Sequence, residues 1–282
     1  MLSMRSVTKS FSKTSVLKGI DFQLEKGESV LLLGPNGSGK TTLIRLLLDF
    51  YKPDEGEVSW MESMGARVGF ILQEPSLMDR VTVKELINYI RSLHKNPLTY
   101  AEAIHNAGLV EQENVLTERL SVGQKRKLLF ALALIGRPEL LIMDEPTAGM
   151  DLHARRSFYA QVQGLKEEGL TILMTTHLLD EANLLGDRVL LLDQGVITKD
   201  QSVASISYEQ RTIRFALTDR EPYSARLKEK GFRQIERGWE LVTSQADELI
   251  TWLVSEQIPF QQLTIEQQSI NDFFESSVRS QH

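Results

Sequence analysis

Short apolar runs alternate along most of the chain with stretches of helical periodicity. Ser29-Val30-Leu31-Leu32-Leu33, Leu140-Leu141-Ile142-Met143 and Thr171-Ile172-Leu173-Met174 have the length and content of strands buried on both faces of a parallel sheet. Leu43 to Leu48 reads as a helix directly after the first run. Thr82-Val83-Lys84-Glu85 is a capping box, and from there to about Val115 the pattern is helical with a break at Asn96-Pro97. A further helix opens at Ser121, a plausible N-cap, with Leu128 to Leu134 on its buried side. Buried strands alternating with helices predict an α/β fold with a parallel core sheet.

Other strands pair differently. Leu2 to Lys9 and Val16 to Leu24 predict an antiparallel pair joined by Phe11-Ser12-Lys13-Thr14, followed by turns at Glu25 to Glu28 and Lys52 to Glu57. Arg67 to Leu72 is a strand ending at Gln73-Glu74-Pro75, since proline cannot continue a ladder. Arg188 to Asp193 and Val196 to Thr198 form a closing hairpin around Gln194-Gly195. The expected organisation is one domain over residues 1–202, with a helical insert at about 80–136, and a second over 203–282. In the second, Ile213, Phe215 and Leu217 alternate as in a strand, and Trp239 and Leu241 repeat the pattern. Leu249, Ile250, Leu253 and Val254 mark an amphipathic helix opened by Ser244, and a last helix is expected from Ser269. This is a small α+β domain whose aromatics, Phe215, Phe232, Trp239, Trp252, Phe260, Phe273 and Phe274, are expected to form its core.

Composition removes several function classes. The 282 residues contain no Cys, which excludes disulfides, thiolate metal sites and a cysteine nucleophile. The five His show no metal-ligand spacing, and a net charge of -6 argues against a broad nucleic-acid-binding surface. The longest apolar run, Leu128 to Ile135, falls far short of the ~20 residues that span a bilayer. Met1-Leu2-Ser3-Met4-Arg5 lacks the apolar core of a secretory signal, so a cytoplasmic protein is expected.

The chemistry gathers at the strand ends. Between the first buried strand and its helix lies Gly34-Pro35-Asn36-Gly37-Ser38-Gly39-Lys40-Thr41-Thr42. Its glycines let the backbone curl so that successive N–H groups face one anion-sized hollow. Lys40 adds a positive charge at the helix N-terminus and Thr41 a hydroxyl suited to Mg²⁺, so phosphate is the expected guest. Asp144 and Glu145 end the strand Leu140 to Met143. Asp144 suits Mg²⁺, usually through water, and Glu145, pointing differently, can polarise a water aimed at a γ-phosphate. Gln73 and His177 also stand at strand ends, where each either reaches the ligand or is merely structural. Phe11 either stacks on a purine or folds onto its hairpin. Ser121 and Gly123 at a helix start offer a second anion site, a weak signal alone.

Taken together, the phosphate loop, Gln73, Leu120-Ser121-Val122-Gly123-Gln124, Leu140 to Pro146, Ala148-Gly149-Met150-Asp151 and His177 resemble, in order and spacing, the ATPase subunit of ABC transporters. The resemblance covers about residues 1–200. It implies the P-loop ABC-type ATPase fold: a parallel core sheet, an antiparallel β subdomain and a helical insert. It also implies a head-to-tail dimer, with two ATP molecules sandwiched between the phosphate loop of one subunit and the Ser121 to Gln124 segment of the other. By the same likeness Lys40 holds the β and γ phosphates, and Thr41, Asp144 and Gln73 serve Mg²⁺. Glu145 is the general base, His177 braces the γ-phosphate, Phe11 stacks on adenine and Asp151 signals across the dimer. The implied partners are a second copy of the chain and a separate polytopic membrane subunit that carries the cargo, with Leu77, Met78 and Val81 as candidate contacts. The family's commonest signature, Leu-Ser-Gly-Gly-Gln, has Val122 at its first glycine here; Ser121 and Gly123 are intact, so the opposite-subunit site is expected to work, although the valine side chain could weaken dimer closure. The C-terminal domain resembles the extension found on exporters of drugs, antibiotics or peptides. A soluble ABC protein that remodels a ribosome or nucleic-acid assembly is the alternative. Such proteins commonly carry two ATPase cores or a long coiled coil, and neither is seen here.

Overall fold

The computed structural model describes residues 2–60, 67–73, 77–205, 211–217, 221–236 and 238–267. The chain forms two compact units, residues 1–200 and 201–282.

In the first unit β1 (Leu2–Phe11), β2 (Thr14–Leu24) and β4 (Glu55–Trp60) make an antiparallel three-stranded sheet, ordered β2-β1-β4. β3 (Ser29–Leu33), β5 (Val68–Ile71), β6 (Leu140–Asp144), β7 (Thr171–Thr176), β8 (Arg188–Asp193) and β9 (Val196–Ser202) make a second sheet, ordered β5-β6-β7-β3-β8-β9. It is parallel from β5 to β8. β3 lies between β7 and β8 with all five residues buried, as its unbroken apolar content requires. Consequently the C-terminal ends of β3, β6 and β7 meet at one edge of the unit, where α1 (Lys40–Leu47), α5 (Leu152–Glu167) and α6 (Leu179–Leu185) follow them.

α2 (Val83–Ser92), α3 (Tyr100–Ala107) and α4 (Val122–Leu134) constitute the helical insert. Capping boxes start all three, from Thr82 with Glu85, Thr99 with Glu102, and Ser121 with Gln124. The insert has a core of its own, built on Val83, Leu86, Ile87, Ile104, Leu128 and Ile135. Leu77 and Val81 pack partly against that core, whereas Met78 is exposed.

In the second unit β10 (Arg211–Leu217), α7 (Ser224–Glu229), β11 (Arg233–Ile235), β12 (Gly238–Thr243), α8 (Ala246–Ser255) and β13 (Phe260–Gln267) follow one another in a β-α-β-β-α-β order. The antiparallel sheet is ordered β11-β12-β10-β13. Ile213, Phe215, Phe232, Trp239 and Leu253 form its core, with Trp252 and Phe260 packed against it.

Three expectations change. Phe11 closes β1 instead of lying in the turn, because only Ser12 and Lys13 separate it from its partner Thr14, and Ser12 takes the left-handed conformation of a tight hairpin (φ 56°). Glu55 and Glu57 belong to β4, paired with Thr8 and Arg5. α8 starts after Gln245, whose N–H donates to Thr243 Oγ1, so Ser244 is not its cap. The helix expected from Ser269, with Phe273 and Phe274, lies outside the described residues.

Glu240 of β12 is nearly buried, and it accepts hydrogen bonds from Arg214 Nε (2.6 Å) and Arg233 Nε (2.9 Å). Burial pushes its carboxyl up, but the two guanidiniums more than offset this and hold it below the ordinary 4.5. A carboxyl depressed in the folded state stabilises the fold above its ordinary pKa, and that stabilisation is lost as pH falls from about 4.5 through the folded value. Glu240→Ala is therefore expected to cost the full chain roughly 1–3 kcal/mol at pH 7, discounted for the solvated guanidiniums, and much less at pH 3. Urea unfolding followed by tryptophan fluorescence, to which the buried Trp239 contributes, measures this.

Candidate functional site

The loop between β3 and α1 is a cradle that side chains would fill. A Cβ on Gly34 would lie 2.2 Å from the carbonyl oxygen of Leu192 and 2.7 Å from Ser38 Oγ. Gly39 is the N-cap of α1 at φ 111°, and a Cβ there would meet Leu17 Cδ2 at 2.7 Å. No side chain caps α1 and its first turn carries no acid, so its N–H groups are left for an anion. Pro35, Asn36 and Gly37 are exposed on the rim, and Thr41 and Thr42 are half-buried in the first turn. Lys40 is 5% exposed, and its Nζ donates to the carbonyls of Gly34 (2.8 Å) and Pro35 (3.2 Å). Its charge is thus held over the loop. Ser38 Oγ is buried without a partner among the described residues.

Beside this cradle stand the ends of β6 and β7. Asp144 is fully buried; its Oδ1 accepts from Thr175 Oγ1 (2.5 Å), while Oδ2 has no partner among the described residues. A buried carboxylate with a free oxygen is costly unless a cation completes it. The donor set fits Mg²⁺, a hard cation that takes oxygen ligands. Glu145 sits in the left-handed region (φ 47°), and its N–H donates to Thr175 Oγ1 at 2.9 Å. This turn swings its carboxylate out of the strand. There Oε1 is 3.6 Å from Lys40 Nζ, and Oε2 is 3.5 Å from His177 Nδ1 and 3.4 Å from Gln73 Nε2. Lys40, Gln73, Asp144, Glu145 and His177, drawn from separate segments, therefore converge.

Other expected residues stand apart from that cluster. Ser121 and Gln124 close the capping box of α4, Gln124 N–H donating to Ser121 Oγ and Ser121 N–H to Gln124 Oε1. Ser121 and Val122 are exposed, and Gly123 is half-buried. A Cβ on Gly149 would lie 3.5 Å from Val122 Cγ1, so Val122 reaches towards the turn that leads to Asp151. Asp151 caps α5, accepting from Ala154 N–H at 2.8 Å. Phe11 is 39% exposed and meets Tyr51 edge to face at 5.2 Å, with Lys9 Nζ 5.7 Å from its ring. An exposed ring remains free to take a flat partner.

The sequence reading missed several participants. Thr175 is identifiable only as a hydroxyl ending an apolar strand. Arg126 of α4 donates through Nη2 to the carbonyl of Gln73 (2.9 Å), joining the insert to the site, and its Nη1 is buried without a partner among the described residues. Burial lowers its pKa, and the charge of Glu145 opposes that shift.

The profile of the ABC transporter family matches residues 17–148. The chain is 36% identical over 210 residues to the linearmycin resistance ATP-binding protein LnrL of Bacillus subtilis, an alignment spanning 69% of this chain and 67% of that one. It is 37% identical over 207 residues to the Nod factor export ATP-binding protein I of Rhizobium sp. strain N33, spanning 69% and 68%. The dimeric post-hydrolysis ATP-binding cassette MJ0796, bound to ADP and Pi, superposes with a TM-score of 0.66 at 24% identity, covering 72% of this chain and 99% of that one. The chain belongs to the ATP-binding family of ABC transporters. It is a nucleotide-hydrolysing ATPase by family, and the family works on Mg-ATP.

Thr175 Oγ1 serves both Asp144 and the Glu145 N–H, so Thr175→Val takes the hydroxyl donor from the buried Asp144 and leaves the Glu145 N–H only its 3.2 Å bond to the Thr175 carbonyl. The expected outcome is a loss of roughly 1–3 kcal/mol in stability and at least about tenfold in ATPase kcat. Thr175→Ser is expected to retain both; urea titration and steady-state phosphate release measure them.

Proposed function

We propose that this chain is the ATP-binding subunit of an ABC exporter, hydrolysing Mg-ATP at the interface of a head-to-tail dimer to drive cargo through a separate membrane subunit. The observation that carries the reading is the convergence of Lys40, Gln73 and His177 on the Glu145 carboxylate, beside the buried Asp144. In the proposed reaction Lys40 and the N–H groups of the loop and α1 hold the β and γ phosphates. Glu145 accepts a proton from a water that attacks the γ-phosphorus in line. The new bond to water oxygen forms as the bond to the ADP oxygen breaks. His177, within reach of Glu145, braces the γ-phosphate. Thr41, Asp144 and Gln73 would hold Mg²⁺, which supplies charge neutralisation at the phosphates. Phe11 supplies an exposed ring for adenine.

The second subunit enters through α4. Ser121 and Gly123 stand at an N-terminus whose surface is exposed, a suitable anion-facing end for a γ-phosphate held by another copy. Val122 adds a branched apolar side chain there, 61% exposed, and weakens closure relative to glycine. Asp151, on the same side of the turn, carries the state of one site to the other.

Export is favoured by the names of the relatives at 36–37% identity, one a linearmycin resistance protein and one a Nod factor exporter. The spermidine/putrescine import protein PotA of Spiroplasma citri is 31% identical over 226 residues, spanning 76% of this chain and 65% of that one. Among the described residues no helix is long and apolar enough to cross a membrane, so the transport path belongs to another chain in this reading.

Glu145→Gln is expected to bind ATP and dimerise on it while turnover falls at least about 100-fold; Lys40→Ala is expected to lose binding. Equilibrium binding of a fluorescent ATP analogue, size-exclusion chromatography with ATP and phosphate release measure these. Turnover at the wild-type rate in Glu145→Gln would remove Glu145 as base. Stoichiometric copurification of a multi-span membrane protein from detergent-solubilised host membranes tests the transport part, and purely soluble partners would overturn it.

A further inference from the structure

Behind the catalytic corner lies a second polar cluster that the reaction as drawn does not use. Glu181, in the first turn of α6, is fully buried. Its Oε1 accepts from Thr147 Oγ1 at 2.6 Å and from Tyr159 OH at 2.8 Å, and its Oε2 has no partner among the described residues. Arg155, one turn before Tyr159 on α5, interacts with the Tyr159 hydroxyl, and its own Nε is buried without a partner among the described residues. Burial, followed by the bond to Glu181, pushes the Tyr159 hydroxyl well up, so it remains a donor across the physiological range.

Each partner belongs to a segment that carries a site residue. Thr147 is two residues after Glu145, in a turn closed by Ala148 N–H to Glu145 O (3.2 Å) and Met150 N–H to Thr147 O (3.1 Å). That turn leads straight to Asp151 and α5, where Arg155 and Tyr159 stand. Glu181 itself follows His177, the residue that approaches Glu145 from β7. Glu145 is in a left-handed conformation, which for a residue with a Cβ persists only where its surroundings over-determine it. A buried carboxylate is likewise a costly choice where two apolar side chains would pack.

We infer that Glu181 is a positioning residue that fixes the helix after His177 to the Glu145–Asp151 turn and to α5, so that the base, the γ-phosphate contact and the inter-subunit turn keep one relative placement. This rests on the roles proposed above for Glu145 and His177. Among the described residues the hydrogen bonds of Glu181 run to Thr147 and Tyr159, and none reaches the phosphate loop. Their removal should therefore act on the chemical step and leave nucleotide binding nearly unchanged.

The test compares Glu181→Ala, Glu181→Gln and Thr147→Val in the full chain, with folding checked by circular dichroism and ATPase kinetics read as separate kcat and KM. Glu181→Ala is expected to lower kcat about 30-fold with KM within about threefold, and Glu181→Gln, which keeps the acceptor oxygen, to stay within about fivefold of wild type. Thr147→Val is close to isosteric and removes a single hydrogen bond. It is expected to lower kcat about tenfold, and it decides the matter should Glu181→Ala not fold. Adding Glu181→Ala or Thr147→Val to His177→Ala is expected to cost less than about threefold more, because the effects share one route. A folded Glu181→Ala or Thr147→Val with wild-type kcat, or losses that multiply with His177→Ala, would overturn the inference while leaving the ATPase reading intact. Wild-type turnover in Glu145→Gln strikes at that reading instead.

Discussion

One hydroxyl organises the site. Thr175 Oγ1, at the end of β7, donates to Asp144 and accepts from the Glu145 main chain, both at the end of the neighbouring β6. The parallel register that pairs Asp144 with Thr175 brings these groups together, and that register follows from two apolar strands buried on both faces of the sheet. A slip by one residue would turn Asp144 to the opposite face. Because the hydroxyl fixes one carboxylate by its side chain and the next by its backbone, Asp144 stays inward while Glu145 turns out through a left-handed conformation. Adjacent acids thereby acquire different tasks: Asp144 keeps a buried oxygen suited to a hard cation, and Glu145 faces Lys40, Gln73 and His177.

The helical insert is tied to this arrangement on more than one side: Phe130 of α4 meets Phe158 of α5 edge to face at 5.1 Å, and Gln161 Nε2 of α5 donates to the carbonyl of Asn106 in α3. Its core is built from its own helices, and the core of the two sheets is a separate cluster of apolar residues. Arg126 bridges them by donating to the carbonyl of Gln73, the residue whose amide reaches Glu145. A displacement of α4, which carries Ser121, would be felt at Gln73 through the Arg126 guanidinium.

Much of the fold and the direct contacts of the site were legible in the sequence because both rest on local signals. Unbroken apolar runs mark the central strands, capping boxes at Thr82 and Ser121 mark helix starts, and glycines at 34, 37 and 39 mark the cradle. Phe11 was misplaced by a few residues because a tight hairpin needs only Ser12 at positive φ, which serine does not advertise. The Ser244 cap failed for a different reason. Propensity allowed it, but the chain starts α8 after Gln245. Thr175, Arg126 and Glu181 were not legible, since each matters through a partner far away in sequence, and nothing local separates a buried threonine that bonds two acids from one that merely fills a strand. The capping and cradle residues announce themselves; the residues that hold them in register do not.

Charge compensation at Glu145 links binding to chemistry in the proposed reaction. Lys40 is shared between the loop carbonyls of Gly34 and Pro35 and the Glu145 carboxylate. A triphosphate in the cradle offers Lys40 a stronger and closer anion than a carboxylate at 3.6 Å. As Lys40 turns to the phosphates in the proposed reaction, His177 and Gln73, at 3.5 and 3.4 Å, remain to aim the Glu145 carboxylate. Lys40 and Glu145, more than a hundred positions apart in the chain, are thus held side by side in the buried corner where the proposed reaction needs both.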